Sequence, residues 1–235
     1  MPLHFLHVGK TGGSALKYAL RDAGWPDTPF GPLVEHPHRR RWNELPPDEP
    51  VFFFVRDPVD RFLSGFTARQ RRGAPRYHFR WTEAEAEAFA RFSSAQELAT
   101  SLESPDPDTS RAAHRAMRRI RHLRSQSWTV GGPADLRPRL DRVVYIGRQE
   151  TLDADWQNLQ RILQVPDYIE LPRDPVTANR TGDWSSDQID EDARAALRRY
   201  YDKDYRLLDL CEDVRRRRGW VQARGLLGRL RANLR

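Results

Sequence analysis

The stretch Val51-Phe52-Phe53-Phe54-Val55-Arg56-Asp57-Pro58-Val59-Asp60-Arg61-Phe62-Leu63-Ser64-Gly65-Phe66 decides the fold. Val51 to Val55 is apolar on both faces, which suits a strand inside a parallel sheet covered by helices on either side. Arg56 leaves the end of that strand. Pro58 stands where a first helical residue is tolerated. Phe62, Leu63 and Phe66 share one face of a helix predicted to run through about Arg71. Arg56 and Ser64 can then converge on one phosphate, the arginine through its planar fork and the serine through its hydroxyl. Asp57 and Arg61 stand at the spacing of an i, i+4 helix pair.

Upstream, Leu3 to Val8 reads as a second buried strand, and Ser14 to Ala23 reads as a helix with Leu16, Ala19, Leu20 and Ala23 on one face. Between them lies His7-Val8-Gly9-Lys10-Thr11-Gly12-Gly13-Ser14. A strand, a glycine-rich turn and a helix N-terminus make an anion site: amides converge, the helix end adds partial positive charge, and Lys10 adds a full one. A Walker A loop places its first glycine before the lysine. Here that position falls inside the strand, at His4 or Phe5, and the glycines follow the lysine instead. That order argues against an ordinary P-loop kinase or ATPase.

Downstream, Thr82 and Glu85 have capping-box spacing at the start of a helix to Phe92. A short helix is predicted over Ser93 to Leu102, a basic helix over Thr109 to Arg124, a buried strand over Arg142 to Ile146, a helix over Leu152 to Leu163, and mostly helix from Asp190 to about Arg218. Residues 25–50 hold seven prolines and are expected to be mostly loop, as are residues 166–188. Strands alternating with helices predict an α/β fold: a three-layer, P-loop-like domain with a central parallel sheet flanked by helices. One domain is expected over residues 1–211, with 73–140 a mainly helical insertion, followed by a basic tail over 212–235.

Apolar residues make up 38% of the 235-residue chain and charged residues 31%, with a net charge of +7. The tail alone holds eight arginines against Glu212 and Asp213, so the remaining chain is nearly neutral. The basicity is therefore not read as nucleic-acid binding. With Trp220, Leu227, Leu230 and Leu234 at roughly helical spacing, the tail suits peripheral contact with an anionic membrane surface. The lone cysteine, Cys211, permits no internal disulfide and sits in an apolar pattern. Without a leader-like or spanning apolar run, a cytoplasmic location is the expectation.

The two motifs resemble those of the PAPS-dependent sulfotransferases, in particular the branch that includes the carbohydrate sulfotransferases and many small bacterial members (PAPS is 3′-phosphoadenosine 5′-phosphosulfate). Gly9-Lys10-Thr11-Gly12-Gly13-Ser14 is similar to the family's first motif, which binds the 5′-phosphosulfate and usually has proline where Gly9 stands. Arg56 to Ser64 matches its Arg-Asp-Pro-x-x-Arg-x-x-Ser motif, whose arginine and serine bind the 3′-phosphate. Val143 to Glu150 is similar to a later family strand, Asn179-Arg180-Thr181 to a polar loop near the cofactor, and Tyr200 to Tyr205 to the terminal helix.

The resemblance implies sulfuryl transfer from PAPS to an acceptor hydroxyl by in-line displacement, without a metal. It implies a small-molecule or glycan acceptor. Lys10 is the expected catalytic cation, and Lys10, Thr11, Gly12, Gly13, Ser14, Arg56, Ser64, Asn179, Arg180 and Thr181 are the expected cofactor-binding residues. The family often places a histidine general base between the two motifs. Val34-Glu35-His36-Pro37-His38 offers His36, taken first because it follows the strand end most closely, with His38, Glu35 and Glu150 behind it. The basic residues Arg69, Arg71, Arg72, Arg118, Arg119, Arg121 and Arg124, with His114 and His122, suit either a solvated face or an anionic acceptor. The competing readings are a nucleotide or small-molecule kinase, with Asp57 as its Mg²⁺ ligand, and a non-catalytic polyanion-binding module.

Overall fold

The computed structural model describes residues 1–174 and 189–221. Strands β1 (Leu3–Leu6), β2 (Asp27–Thr28), β3 (Gly31–Glu35), β4 (Val51–Val55) and β5 (Val143–Arg148) form one sheet in the order β2-β3-β1-β4-β5. All neighbours are parallel except the β2–β3 edge pair.

Side-chain alternation along the strands divides the sheet into two faces. Leu3, Phe5, Phe52, Phe54 and Tyr145 pack against α1 (Gly13–Asp22) and α8 (Leu152–Leu163). Leu6, Phe53, Val55 and Ile146 face the other way, onto Val130, Leu136 and α10 (Asp202–Arg217). The pairing of β4 with β5 passes from Val51↔Val143 to Phe52↔Tyr145, skipping Val144, so Val143 joins the α10 face while Tyr145 joins the α1 face. The result is the expected three-layer α/β architecture. Helix α2 (Pro58–Gln70) seeds a third apolar cluster: its Phe62, Leu63 and Phe66 pack with α3 (Glu83–Arg91), α4 (Ala95–Ser101), α5 (Pro107–Arg119) and α9 (Glu191–Tyr200). The short helices α6 (Ser127–Val130) and α7 (Pro133–Leu136) complete the segment before β5. The expected capping box at Thr82 and Glu85 is present.

Three expectations change. The region read as mostly loop contains β3, which pairs with β1 through Leu3↔Leu33, His4↔Val34 and Phe5↔Glu35. Its short span, with Pro32 and exposed Val34, hides it, and Pro32 is tolerated because only the two-residue β2 lies beyond. The basic helix starts earlier and stops earlier than its pattern suggests. The Asp106 side chain accepts from the Asp108 and Thr109 amides and starts α5 at Pro107, and residues 120–125 form a connection instead of a last turn. Finally, the expected boundary after residue 211 falls inside α10. Arg215 is buried there, paired with Asp155 at 2.9 Å, and Trp220 packs on Tyr145. The remainder of the tail, from residue 222, lies outside the described residues, as does the proposed membrane contact through it. Among the described residues, no helix is long and apolar enough to cross a membrane.

Candidate active site at the ends of β1 and β4

The chain leaves β1 towards β3 on one side and then returns to form β4 on the other. Such a switch of direction opens a crevice beyond the carboxyl ends of the two adjacent strands, where ligands bind in open α/β sheets. Both sequence motifs occupy it. The cleft holds about 920 Å³, and Lys10, Gly12, Gly13, Ser14, Arg56 and Ser64 line it.

The first motif forms a tight loop between β1 and α1. Lys10 has φ of 69° and Gly12 of 86°, so the loop turns back on itself before the helix starts. Gly12 caps α1 without a side chain, so no side-chain cap covers the Gly13 and Ser14 amides at the helix start, where an anion can bind. A Cβ on Gly13 would lie 2.0 Å from His7 Nε2, so only glycine fits there. Burial, then the nearby Arg56, Arg71 and Arg61 charges, lower the Lys10 pKa to about 8. Thr11 differs from expectation: its side chain is buried and donates to the Val8 carbonyl at 2.9 Å, bracing the loop from behind instead of lining the cleft.

In the second motif, Asp57 is the N-cap of α2, accepting from the Val59 and Asp60 amides at 2.8 and 3.1 Å. The side chain of Arg61, its expected partner, goes elsewhere. Arg61 is buried, donating to the Gly9 carbonyl at 2.9 Å and to the Arg124 carbonyl at 2.7 Å. Arg56 points into the cleft, donating to the Lys10 carbonyl at 3.3 Å. Burial lowers the Arg56 pKa to about 10, which leaves it charged at neutral pH.

The Arg56 backbone is clamped by a residue the sequence did not single out as functional. Gln126 accepts from the Arg56 amide at 2.9 Å and donates to its carbonyl at 2.7 Å. Gln126 is itself buried, and its amide donates to Asp204 of α10 at 2.7 Å. Asp204 also accepts from the Ser127 amide at 2.8 Å and from the Ser125 hydroxyl. Its only sequence trace is a polar residue amid apolar helix positions.

The structure separates the candidate bases. His36 does not line the cleft. Side chains alternate along β3, so Glu35 faces α1 and the cleft while the next residue faces the opposite side of the sheet. There His36 Nε2 lies 2.7 Å from His4 Nδ1, and His4 in turn bonds Glu49. Glu35 is paired with Lys17 at 2.5 Å. Glu150 accepts from the Asp57 amide at 2.6 Å and pairs with Arg148. Burial pushes its pKa up, but Arg148 and the Asp57 amide outweigh that and hold it low. His38 opens onto the cleft, crowded by His7 at 4.0 Å and His122 at 5.3 Å between ring centroids. Its Nδ1 lies 3.1 Å from the His7 carbonyl, which can only accept. Nδ1 therefore carries the proton, and Nε2 holds the free lone pair. Burial lowers the His38 pKa, as it does those of His7 and His122.

Of the basic residues read as acceptor contacts, Arg121 and His122 line the cleft. Arg69 also borders it but is tied up in a buried two-pronged pair with Glu85 at 2.8 and 2.6 Å. Arg72 stacks on Trp81, and His114 packs on Tyr200. Asn179, Arg180 and Thr181 lie outside the described residues.

A model of the sulfotransferase family matches residues 2–210, so both motifs and the sheet that carries them fall inside the match. A comparison with curated proteins finds no match. With a family model covering most of its length, the chain belongs to the sulfotransferase family.

Proposed function

We propose that the protein transfers a sulfuryl group from PAPS to a carbohydrate hydroxyl, with His38 as general base. The observation that carries this reading is the meeting, in one cleft, of the α1 N-terminus with Lys10, Arg56 and Ser64, and a histidine, His38, whose Nδ1 is held by the His7 carbonyl.

The residues fit the donor. Gly13 lets the loop pass close against the His7 ring, and Lys10 and the amides at the start of α1 suit the 5′-phosphosulfate. Arg56 and Ser64 suit the 3′-phosphate. When bound, PAPS supplies the activated sulfuryl group. Lys10 stabilises the charge that grows on the departing nucleotide oxygen. His38 Nε2 takes the proton of the acceptor hydroxyl as its oxygen forms the new bond to sulfur, and the bond from sulfur to the nucleotide oxygen breaks. For the acceptor, Tyr77 and Phe79 stack at 5.1 Å and border the cleft with exposed faces, offering apolar surface that the C–H face of a sugar ring covers. The kinase reading loses its metal ligand, because Asp57 is committed to capping α2.

The test is transfer of radiolabelled sulfuryl from PAPS to a panel of mono- and oligosaccharides. Label should appear in sugar with the wild type, fall about 10²–10⁴-fold in His38→Ala, and change little in His36→Ala. Equal rates in wild type and His38→Ala would remove His38 as the base.

A further inference from the structure

We propose that His122 is a positioning residue of this site, holding both the His38 ring and the Lys10 loop in working geometry. The inference rests on the reading of His38 as the base, and its test separates the two.

His122 has φ of 72°, a left-handed conformation costly for a residue with a side chain. Such strain persists only where surrounding structure fixes it, and here four contacts do. The Arg121 amide donates to Glu85 at 3.0 Å. Tyr201 donates its hydroxyl to the Leu123 carbonyl at 2.5 Å. Arg61 holds the Arg124 carbonyl, and Gly65 of α2 leaves room for the His122 backbone, which a Cβ there would meet at 3.2 Å. The enforced turn aims the imidazole into the cleft, against two functional groups. Its ring stands edge-on to His38 at 87°. Its Nδ1 occupies the space beside Gly9, lying 2.7 Å from where a Cβ at that position would stand.

This gives a physical reason for Gly9 in a motif that otherwise tolerates a bulkier residue: the loop and His122 share one space. The same ring shields one side of His38. The groups facing His38 are His7, Lys17, Glu35, Arg61 and His122, and burial among them lowers its pKa. Removing the His122 ring admits water and frees His38 to rotate away from the His7 carbonyl.

Two measurements on the full chain test this, using His122→Asn because asparagine accepts a left-handed backbone. In histidine nitrogen NMR spectra, wild-type His38 should be the Nδ1–H tautomer. In His122→Asn it should become a tautomer mixture with a pKa raised toward the ordinary histidine value. In calorimetry with 3′,5′-adenosine bisphosphate, Gly9→Ala should weaken binding about tenfold in wild type and no more than about twofold in His122→Asn, a coupling expected of residues in contact. An unchanged His38 spectrum together with equal Gly9→Ala effects in both backgrounds overturns the proposal. A wild-type His38 found as Nε2–H instead overturns its role as base.

Discussion

The Arg61 side chain of α2 donates to the Gly9 carbonyl at 2.9 Å, tying the second motif to the first. An arginine spaced for a helical ion pair thus serves as the strut between the two motifs. Its other hydrogen bond, to the Arg124 carbonyl, joins the connection after α5 to the same strut.

Removing that strut should cost stability and geometry together. Arg61→Met leaves two carbonyls without their donor in a buried setting. The expected cost is about 2–6 kcal/mol, read as a lower urea midpoint, at about 1–3 kcal/mol for each unsatisfied group. Affinity for 3′,5′-adenosine bisphosphate should fall as well, because the Gly9–Ser14 loop loses its anchor.

Gln126→Leu keeps the shape of the side chain but abandons the Arg56 amide and carbonyl. Bisphosphate binding should weaken about as much as in Arg56→Ala, although residue 126 is not among the residues that line the cleft. Calorimetry of the two variants side by side checks this.

Bisphosphate binding should also depend on Lys10 protonation. With its pKa lowered to about 8 by burial, Lys10 is charged below that pH and neutral above it. Only the charged form attracts the anion, so affinity should fall as pH rises through about 8 and hold steady below it. In Lys10→Arg the fall should vanish over that range, since a guanidinium stays charged.

The C-terminal boundary can be placed by truncation. A chain ending at residue 221 keeps Arg215 on Asp155 and Trp220 on Tyr145, and should fold. A chain ending at residue 211 leaves Asp155 buried without its arginine. It should lose about 3–5 kcal/mol, the usual cost of breaking a buried pair, and melt lower or fail to fold.

Strands β1, β4 and β5 and both motifs were legible because they are local. Val51 to Val55 announces a buried strand, and the order glycine, lysine, glycine before a helix announces an anion site. What sequence could not give depends on register or on distant partners. Choosing between His36 and His38 requires knowing that β3 exists and which of its faces turns to α1. The pairing of Gln126 with Arg56 spans 70 positions, and no periodicity signals it. The left-handed turn at His122 arises because α5 stops at Arg119, against a basic pattern that continues to Arg124.

The most direct test of the donor site is calorimetric titration of 3′,5′-adenosine bisphosphate without metal, beside ATP with Mg²⁺, into wild type, Lys10→Ala and Arg56→Ala. The account predicts tight, metal-independent binding of the bisphosphate that both substitutions weaken. Binding of Mg·ATP with no preference for a 3′-phosphate would contradict it.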